Sequence, residues 1–129
     1  MANLPPITVT TLDRERLYAL LDRQQEDSDE IEHLYRELER AHIVAPDQLP
    51  EGTVCLGSRV RFREAGSEKA HLRVLVLPRE TGNFPDAISI LSPAGAALLG
   101  LSVGATIHWP CRNRTLQLQL LEVLPAQSH

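Results

Sequence analysis

The chain of 129 residues is poor in aromatics, at 4%, and has two cysteines, one tryptophan and one methionine. With so few large rings, burial must come from Leu, Val, Ile and Ala, at roughly 25 cal/mol per Å² of apolar surface taken from water. Cys55 and Cys111 are far apart and form neither a CxxC pair nor a group with a histidine at metal-ligand spacing. That is the usage of reduced thiols in a cytoplasmic protein, not of a disulfide scaffold. No apolar run approaches the roughly 20 residues that span a bilayer, and the opening MANLPPITVTTL lacks a basic segment followed by an apolar block. No membrane contact, no export and a cytoplasmic location are therefore expected. A basic surplus is also missing, since the formal net charge is −4. A protein that coats phosphate backbones needs the opposite balance, so no stable direct nucleic-acid binding is expected.

Motifs that carry chemistry are scarce as well. Ser58, Ser67, Ser89, Ser92 and Ser102 have no nucleophile-elbow context, and Gly95, Gly100 and Gly104 are not followed by the Lys-Ser/Thr of a phosphate loop. His33, His42, His71, His108 and His129 are dispersed, so no metal site is read from spacing. Catalytic residues: none; metal and cofactor: none.

What is present is a soluble globular composition, 43% hydrophobic and 23% charged, that changes character once. Up to about residue 45 the chain is rich in Glu, Asp, Arg and Gln with leucines at helical period; after it Val, Leu, Gly and Pro alternate like strands. Pro46, Pro50 and Gly52 mark the boundary. The division expected is a helical part over 1–47 and a β-rich part over 48–129.

In the helical part, Thr10 or Thr11 caps a helix that starts near Leu12 with Asp13 in its first turn. A second helix starts near Ser28, with Ile31, Leu34, Tyr35 and Leu38 inward and Glu32, Arg36, Glu37, Glu39 and Arg40 outward. The pair reads as an antiparallel hairpin, with each helix of about 14 to 17 residues and roughly 20 to 25 Å long. Glu26, Asp27, Asp29 and Glu30 cluster at its turn as an acidic tip. Clustered carboxylates serve solubility and the helix dipole, or offer oxygen ligands to a hard cation or a basic partner surface.

In the β-rich part, Val54, Leu56, Val60 and Phe62 share one strand face, and Arg59, Arg61 and Arg63 share the other as a basic row that Arg73 on the next strand could extend. Further strands are expected over 71–77, 87–91, 105–109 and 115–124, the last with Leu116, Leu118, Leu120 and Glu122 on one face. Ser92-Pro93 opens a short helix that Gly100 stops. The fold class is α+β, a five-stranded, mainly antiparallel sheet with one short helix behind the helical hairpin.

The run Ala87 to Gly104, with Ile90-Leu91-Ser92-Pro93, Leu98-Leu99-Gly100 and Val103-Gly104, resembles the C-terminal signature of the bacterial GreA/GreB transcript-cleavage factors. Val54-x-x-Gly57-Ser58-x-Val60-x-Phe62 is similar to the first strand of the same domain, so the resemblance covers residues 50–124. It implies an FKBP-like domain behind a coiled coil. Cleavage factors have about thirty residues per helix, roughly 45 Å, and the hairpin here is about half that. Within the family the chain therefore resembles the regulator of nucleoside diphosphate kinase (Rnk) subgroup.

The resemblance implies binding to RNA polymerase at the rim of its secondary channel, through the loop that enters the short helix. That carries over to Ser92 and Pro93, with Leu91 standing where cleavage factors often have Asp or Asn. A non-catalytic regulator that competes with longer channel-binding factors and influences nucleoside diphosphate kinase levels follows, working as a monomer. Two alternatives stay open: a peptidyl-prolyl isomerase, whose aromatic pocket would have to come from Phe62, Phe84 and Trp109, and a protein interaction module outside transcription.

Overall fold

A computed structural model describes residues 5–24, 29–111 and 114–124. The chain enters through β1 (Thr8–Thr10) and passes directly into α1 (Thr11–Asp22). Thr10 is the cap: its backbone is extended and its Oγ1 accepts from the Asp13 N–H at 3.1 Å. After α2 (Asp29–Arg40) comes β2 (His42–Val44), which runs parallel to β1 in the register Thr8 to His42, Val9 to Ile43 and Thr10 to Val44. Entry to and exit from the helix pair are thus hydrogen-bonded to each other. Neither short strand is visible in the sequence pattern, because three residues are too few to display a period of two.

The five remaining strands are β3 (Arg59–Glu64), β4 (Ala70–Val76), β5 (Ala87–Ser89), β6 (Thr106–Cys111) and β7 (Arg114–Leu124), with α3 (Pro93–Leu98) between β5 and β6. They form one sheet in the order β5-β4-β3-β7-β6. Every neighbouring pair is antiparallel except β4 and β5, which run parallel and are joined through a 3-10 turn over Pro78–Asn83. The expected α+β class and mostly antiparallel five-stranded sheet are what the molecule has.

Several expectations need correction. Val54 and Leu56 precede β3 and are not part of it; Thr53 makes an isolated bridge with Ser102 instead. α1 has 12 residues, about 18 Å, which is shorter than the 14 to 17 read from periodicity, and 12 residues of α2 lie among the described residues. Glu37, assigned to the outward face of α2, is buried. Its carboxylate accepts two bonds from the Arg40 guanidinium, at 2.9 and 2.6 Å, and Arg40 also donates to the Pro5 carbonyl at 2.8 Å. The charge is satisfied in a chelate that ties the end of α2 to the incoming chain.

One apolar cluster joins both parts of the chain. Leu17 and Leu21 of α1 and Leu34 and Leu38 of α2 lie in the same buried core as Ala96, Ala97 and Leu98 of α3 and Ile107, Leu118 and Leu120 of the sheet. The helices therefore spend their apolar stripes on a common core, and His33 of α2 meets the Trp109 ring edge-on at 5.5 Å between centroids. Tyr18 and Tyr35 pair the two helices with ring centroids 6.0 Å apart, and Tyr35 Oη donates to Asp22 at 2.8 Å.

Gly100 is the point where three segments meet. Its N–H donates to the Val54 carbonyl at 3.0 Å and its own carbonyl accepts from Thr8 N–H at 3.1 Å. Its φ is +77°, and a Cβ there would lie 2.7 Å from the Ile7 Cβ. A left-handed conformation costs an L-residue roughly 1–2 kcal/mol and forced overpacking about 1–3 more. Gly100→Ala should therefore lower the unfolding free energy by about 2–4 kcal/mol in urea titration. Gly66→Ala, at φ +86° with nothing within 4 Å of the added methyl, should show only the conformational part. Equal losses in the two variants would mean that the N-terminal segment is not seated on Gly100.

Candidate functional site

The loop into α3 is built from two serines and a glycine. Ser92 caps the helix: its Oγ accepts from Gly95 N–H at 3.1 Å while its hydroxyl donates to the Ser89 carbonyl at 2.6 Å. Pro93 occupies the first helical turn, where its missing N–H costs nothing. Leu91 N–H donates to Ser89 Oγ at 3.1 Å, so Leu91, Ser92 and Pro93 form one half-buried corner between β5 and α3. A Cβ on Gly95 would fall 2.1 Å from the Ser89 carbonyl oxygen, so glycine is what lets the helix sit this close to the strand before it. The residues of the quoted signature thus have local reasons to be there, and the Ser92 hydroxyl is already committed to the turn.

The same holds for Gly57-Ser58. Gly57 has φ +91°, and its N–H donates to the Leu75 carbonyl at 2.6 Å. Ser58 is buried, and its Oγ accepts from Cys55 N–H at 3.0 Å and lies 3.2 Å from the Cys55 sulfur. This turn launches β3.

The arginine row is placed on one face of β3 and met by a partner at each position. Arg59 pairs with Asp86. Arg61 Nε lies 3.7 Å from Glu122, both side chains half exposed. Arg63 Nε donates to Gln119 Oε1 at 2.9 Å. Arg73 does not extend the row: it is the register partner of Val60, on the opposite face. Glu122 was expected beside Leu116, Leu118 and Leu120, but the register shifts between Arg61 and Phe62, so that Arg61 opposes Glu122 while Phe62 opposes Leu120. One extra residue in β7, Leu121, moves Glu122 onto the arginine face. Repulsion along the row is thereby offset, and the face offers no unsatisfied cationic stripe among the described residues.

Of the acidic tip, Asp29 and Glu30 supply the first backbone residues of α2, and Glu26 and Asp27 lie outside the described residues. Among the described residues no three His, Cys, Asp or Glu side chains gather as a metal-binding group. Phe62 and Trp109 are buried in the core, and Phe84 ends the 3-10 turn; neither of the two surface clefts described in the molecule is lined by any of the three.

Asp13 is the functional-looking group that periodicity did not single out. It is 5% exposed, and its Oδ2 accepts from Leu56 N–H at 3.0 Å, joining α1 to the turn before β3. Arg16 stands 4.0 Å away. Burial pushes the Asp13 carboxyl above its ordinary range, against the opposing pull of the Leu56 bond and Arg16. Burial also raises the Cys55 thiol, opposed by the Ser58 bond and reinforced by the nearby Asp13 charge. Cys55 is accordingly a protonated, poorly nucleophilic thiol at neutral pH.

A family model for the C-terminal part of the transcription elongation factors GreA and GreB matches residues 49–125, and one for the Rnk N-terminus matches residues 5–44. The chain belongs to the GreA/GreB family, in its Rnk subgroup. It is 38% identical over 106 residues to the regulator of nucleoside diphosphate kinase of Escherichia coli strain K12, covering 81% of this chain and 78% of that one. A GreA elongation factor of Thermodesulfovibrio yellowstonii is 27% identical over 82% of this chain and 67% of its own. Among solved structures, a GreA/GreB elongation factor from Nitrosomonas europaea superposes with a TM-score of 0.74 at 38% identity, covering 92% of this chain and 98% of that chain. These relatives are named as regulators and elongation factors. No described helix is long and apolar enough to cross a membrane.

The raised Asp13 pKa has a definite sign for stability. An acid that holds its proton more tightly when folded favours folding below its unfolded pKa of 3.8, and that favour is lost as pH rises through the folded pKa. Asp13→Asn keeps an oxygen for Leu56 N–H and removes the charge. In paired urea titrations the variant should gain stability relative to the parent between about pH 3.5 and pH 7. A difference that stays flat or falls over this interval would show that burial of Asp13 does not govern its titration.

Proposed function

We propose that this transcription-associated regulator of the GreA/GreB family acts without catalysis, by binding RNA polymerase through residues 48–129 at the rim of the secondary channel. The observation that carries the reading is helix length. α1 has 12 residues, about 18 Å, and only six residues separate it from Asp29 of α2, so neither arm approaches the roughly 45 Å of a thirty-residue cleavage-factor helix. An acidic tip of Glu26, Asp27, Asp29 and Glu30, as read from the sequence, would then end well short of a site that the longer hairpins reach. The apolar residues of these helices are also spent on the core shared with α3, which supports a compact plug over an extended probe.

The contact surface in this proposal is the corner Leu91-Ser92-Pro93. Because Ser92 is fully engaged in capping, the corner would present shape and apolar surface from Leu91 and Pro93, with no free hydroxyl. The paired state of Arg59, Arg61 and Arg63 supports a structural role for that face and weighs against its use as a phosphate track. By occupying the rim the protein would exclude longer channel-binding factors, and an influence on nucleoside diphosphate kinase levels would follow through transcription.

The test combines recovery and competition. Tagged full-length protein should recover RNA polymerase subunits from a cell lysate. Pro93→Ala, with an unchanged circular dichroism spectrum, should weaken that recovery several-fold. Added to stalled polymerase, the protein should slow cleavage stimulated by a cleavage factor and stimulate none itself. Absence of polymerase at any salt concentration, or transcript cleavage that disappears when Glu26, Asp27, Asp29 and Glu30 are changed to Gln or Asn, would overturn the reading.

A further inference from the structure

Thr53 is a buried residue whose polar groups are all left open. It faces Ser102 in an isolated antiparallel bridge, but the two bonds that make the bridge belong to its neighbours. Val103 N–H donates to the Gly52 carbonyl and Val54 N–H to the Leu101 carbonyl, each at 2.9 Å. In a pair of this kind the central residue turns its own N–H and C=O to the opposite edge. Neither group of Thr53 is hydrogen-bonded among the described residues, and its hydroxyl is buried without a partner too. At 4% exposure such a residue is an exception to the rule that buried polar groups are satisfied.

The same residue lines a cleft of about 520 Å³, within the range of ligand sites. Residues 101–103 do not line it, so the cleft lies on the side of Thr53 away from the bridge, the side to which its N–H and C=O turn. Val54 goes into the core while Thr53 and Cys55, before and after it, line the cleft, the alternation of an extended segment. Val123 and Leu124 at the end of β7 line it as well. There β7 keeps β3 on one edge, but among the described residues β6 follows β7 no farther than Leu120, so the other edge carries no strand. Leu49 and Pro50 add apolar wall, and Glu51 is the one charged residue in the described lining.

An open N–H and C=O on one extended residue are the complement of a peptide in extended form, which offers a C=O and an N–H at matching spacing. The apolar walls suit aliphatic side chains, and a lining that holds a carboxylate and no cation disfavours acidic ones. We propose that this cleft docks a short extended segment of another protein, aliphatic with basic flanks, which pairs with the backbone at Thr53. The contact is separate from the Leu91-Ser92-Pro93 corner and does not rest on polymerase binding.

The test offers the purified, immobilised full chain two mixtures of capped pentapeptides, one built from Val, Leu, Ile and Lys and the other from Val, Leu, Ile and Glu. The lysine mixture should be retained and the glutamate mixture should not. A retained peptide, made singly, should shift the amide resonances of Thr53, Cys55 and Leu124 in a nitrogen–proton NMR spectrum. N-methylation of one of its two sets of alternate amides should abolish binding, as pairing along one strand edge requires. Thr53→Val keeps the shape and removes the hydroxyl. It should bind the peptide about fivefold more weakly, while its urea midpoint is no lower than the parent's because an unpartnered buried group is gone. Leu124→Glu, at an exposed position, should weaken binding about tenfold, and Arg36→Ala, elsewhere on the surface, should leave it unchanged. Retention of neither mixture, equal retention of both, resonance shifts confined to other surfaces, or an affinity indifferent to both Thr53→Val and Leu124→Glu would overturn the site.

Discussion

The close packing of backbone at Gly100 is the constraint on which the rest of the molecule depends. An N-terminal segment, the strand-like stretch at Val54 and the end of α3 approach one residue that has no side chain to keep them apart. The Thr8 bond to the Gly100 carbonyl positions β1, β1 pairs with β2, and the pair fixes where α1 and α2 leave and rejoin the body. The Val54 bonds to Gly100 and Leu101 hold the turn that launches β3, the central partner of β4 and β7. Hydrophobic burial supplies most of the stabilising free energy, as in any small domain, but burial is indifferent to direction. The glycine is what makes one arrangement of helices and sheet geometrically available.

A six-residue helix is far too short to be stable alone, because nucleation costs more than a turn and a half of hydrogen bonds returns. α3 exists because Ser92 satisfies its first donors, Gly95 lets it lie against Ser89, and Ala96, Ala97 and Leu98 are covered on all sides. α2 packs on α3, and α1 joins the same core. This explains why helices of only three turns persist, and it relates length to role: a hairpin whose leucines are needed in the body has little left to project. The Asp13 to Leu56 bond and the Glu37 chelate with Arg40 and Pro5 add polar ties at the same end of the helix pair, beside β1 and β2.

Much of this was legible from residues alone where a period or a punctuation residue carried it. β3 announces itself by Val60 and Phe62 alternating with arginines, and α3 by Ser-Pro at one end and Gly at the other, each with a local cause. The α+β class and the mostly antiparallel sheet followed from those signals. Features set by tertiary pairing were not legible. A three-residue strand has no period to detect, so β1 and β2 were invisible. The bulge falls where the alternation of Leu and Gln breaks at Leu120-Leu121, a mark that does not by itself say which face Glu122 takes. Asp13 and Glu37 occupy positions where helical pattern places exposed acids; only the Leu56 amide and the Arg40 guanidinium, brought there by the fold, make burial tolerable. For the candidate site, the Leu91-Ser92-Pro93 corner came from resemblance and not from any period or spacing.

The charge pattern carries the last step. A net charge of −4 suggests a surface on which cations are outnumbered and neutralised, and the sheet face obeys that expectation through Asp86, Glu122 and Gln119. Where partners are available and still not used, the exception is informative. Glu80 and Asp22 lie within a turn of Arg79 and Arg23, but a backbone amide and a tyrosine hydroxyl engage their oxygens. Exposed ion pairs contribute only about 0–1 kcal/mol, so folding gains little by pairing these arginines and loses little by leaving them open. Stability therefore does not require these arginines to be paired, and the carboxylates beside them go instead to the Leu77 amide and the Tyr35 hydroxyl, which shape the turn and tie the two helices together.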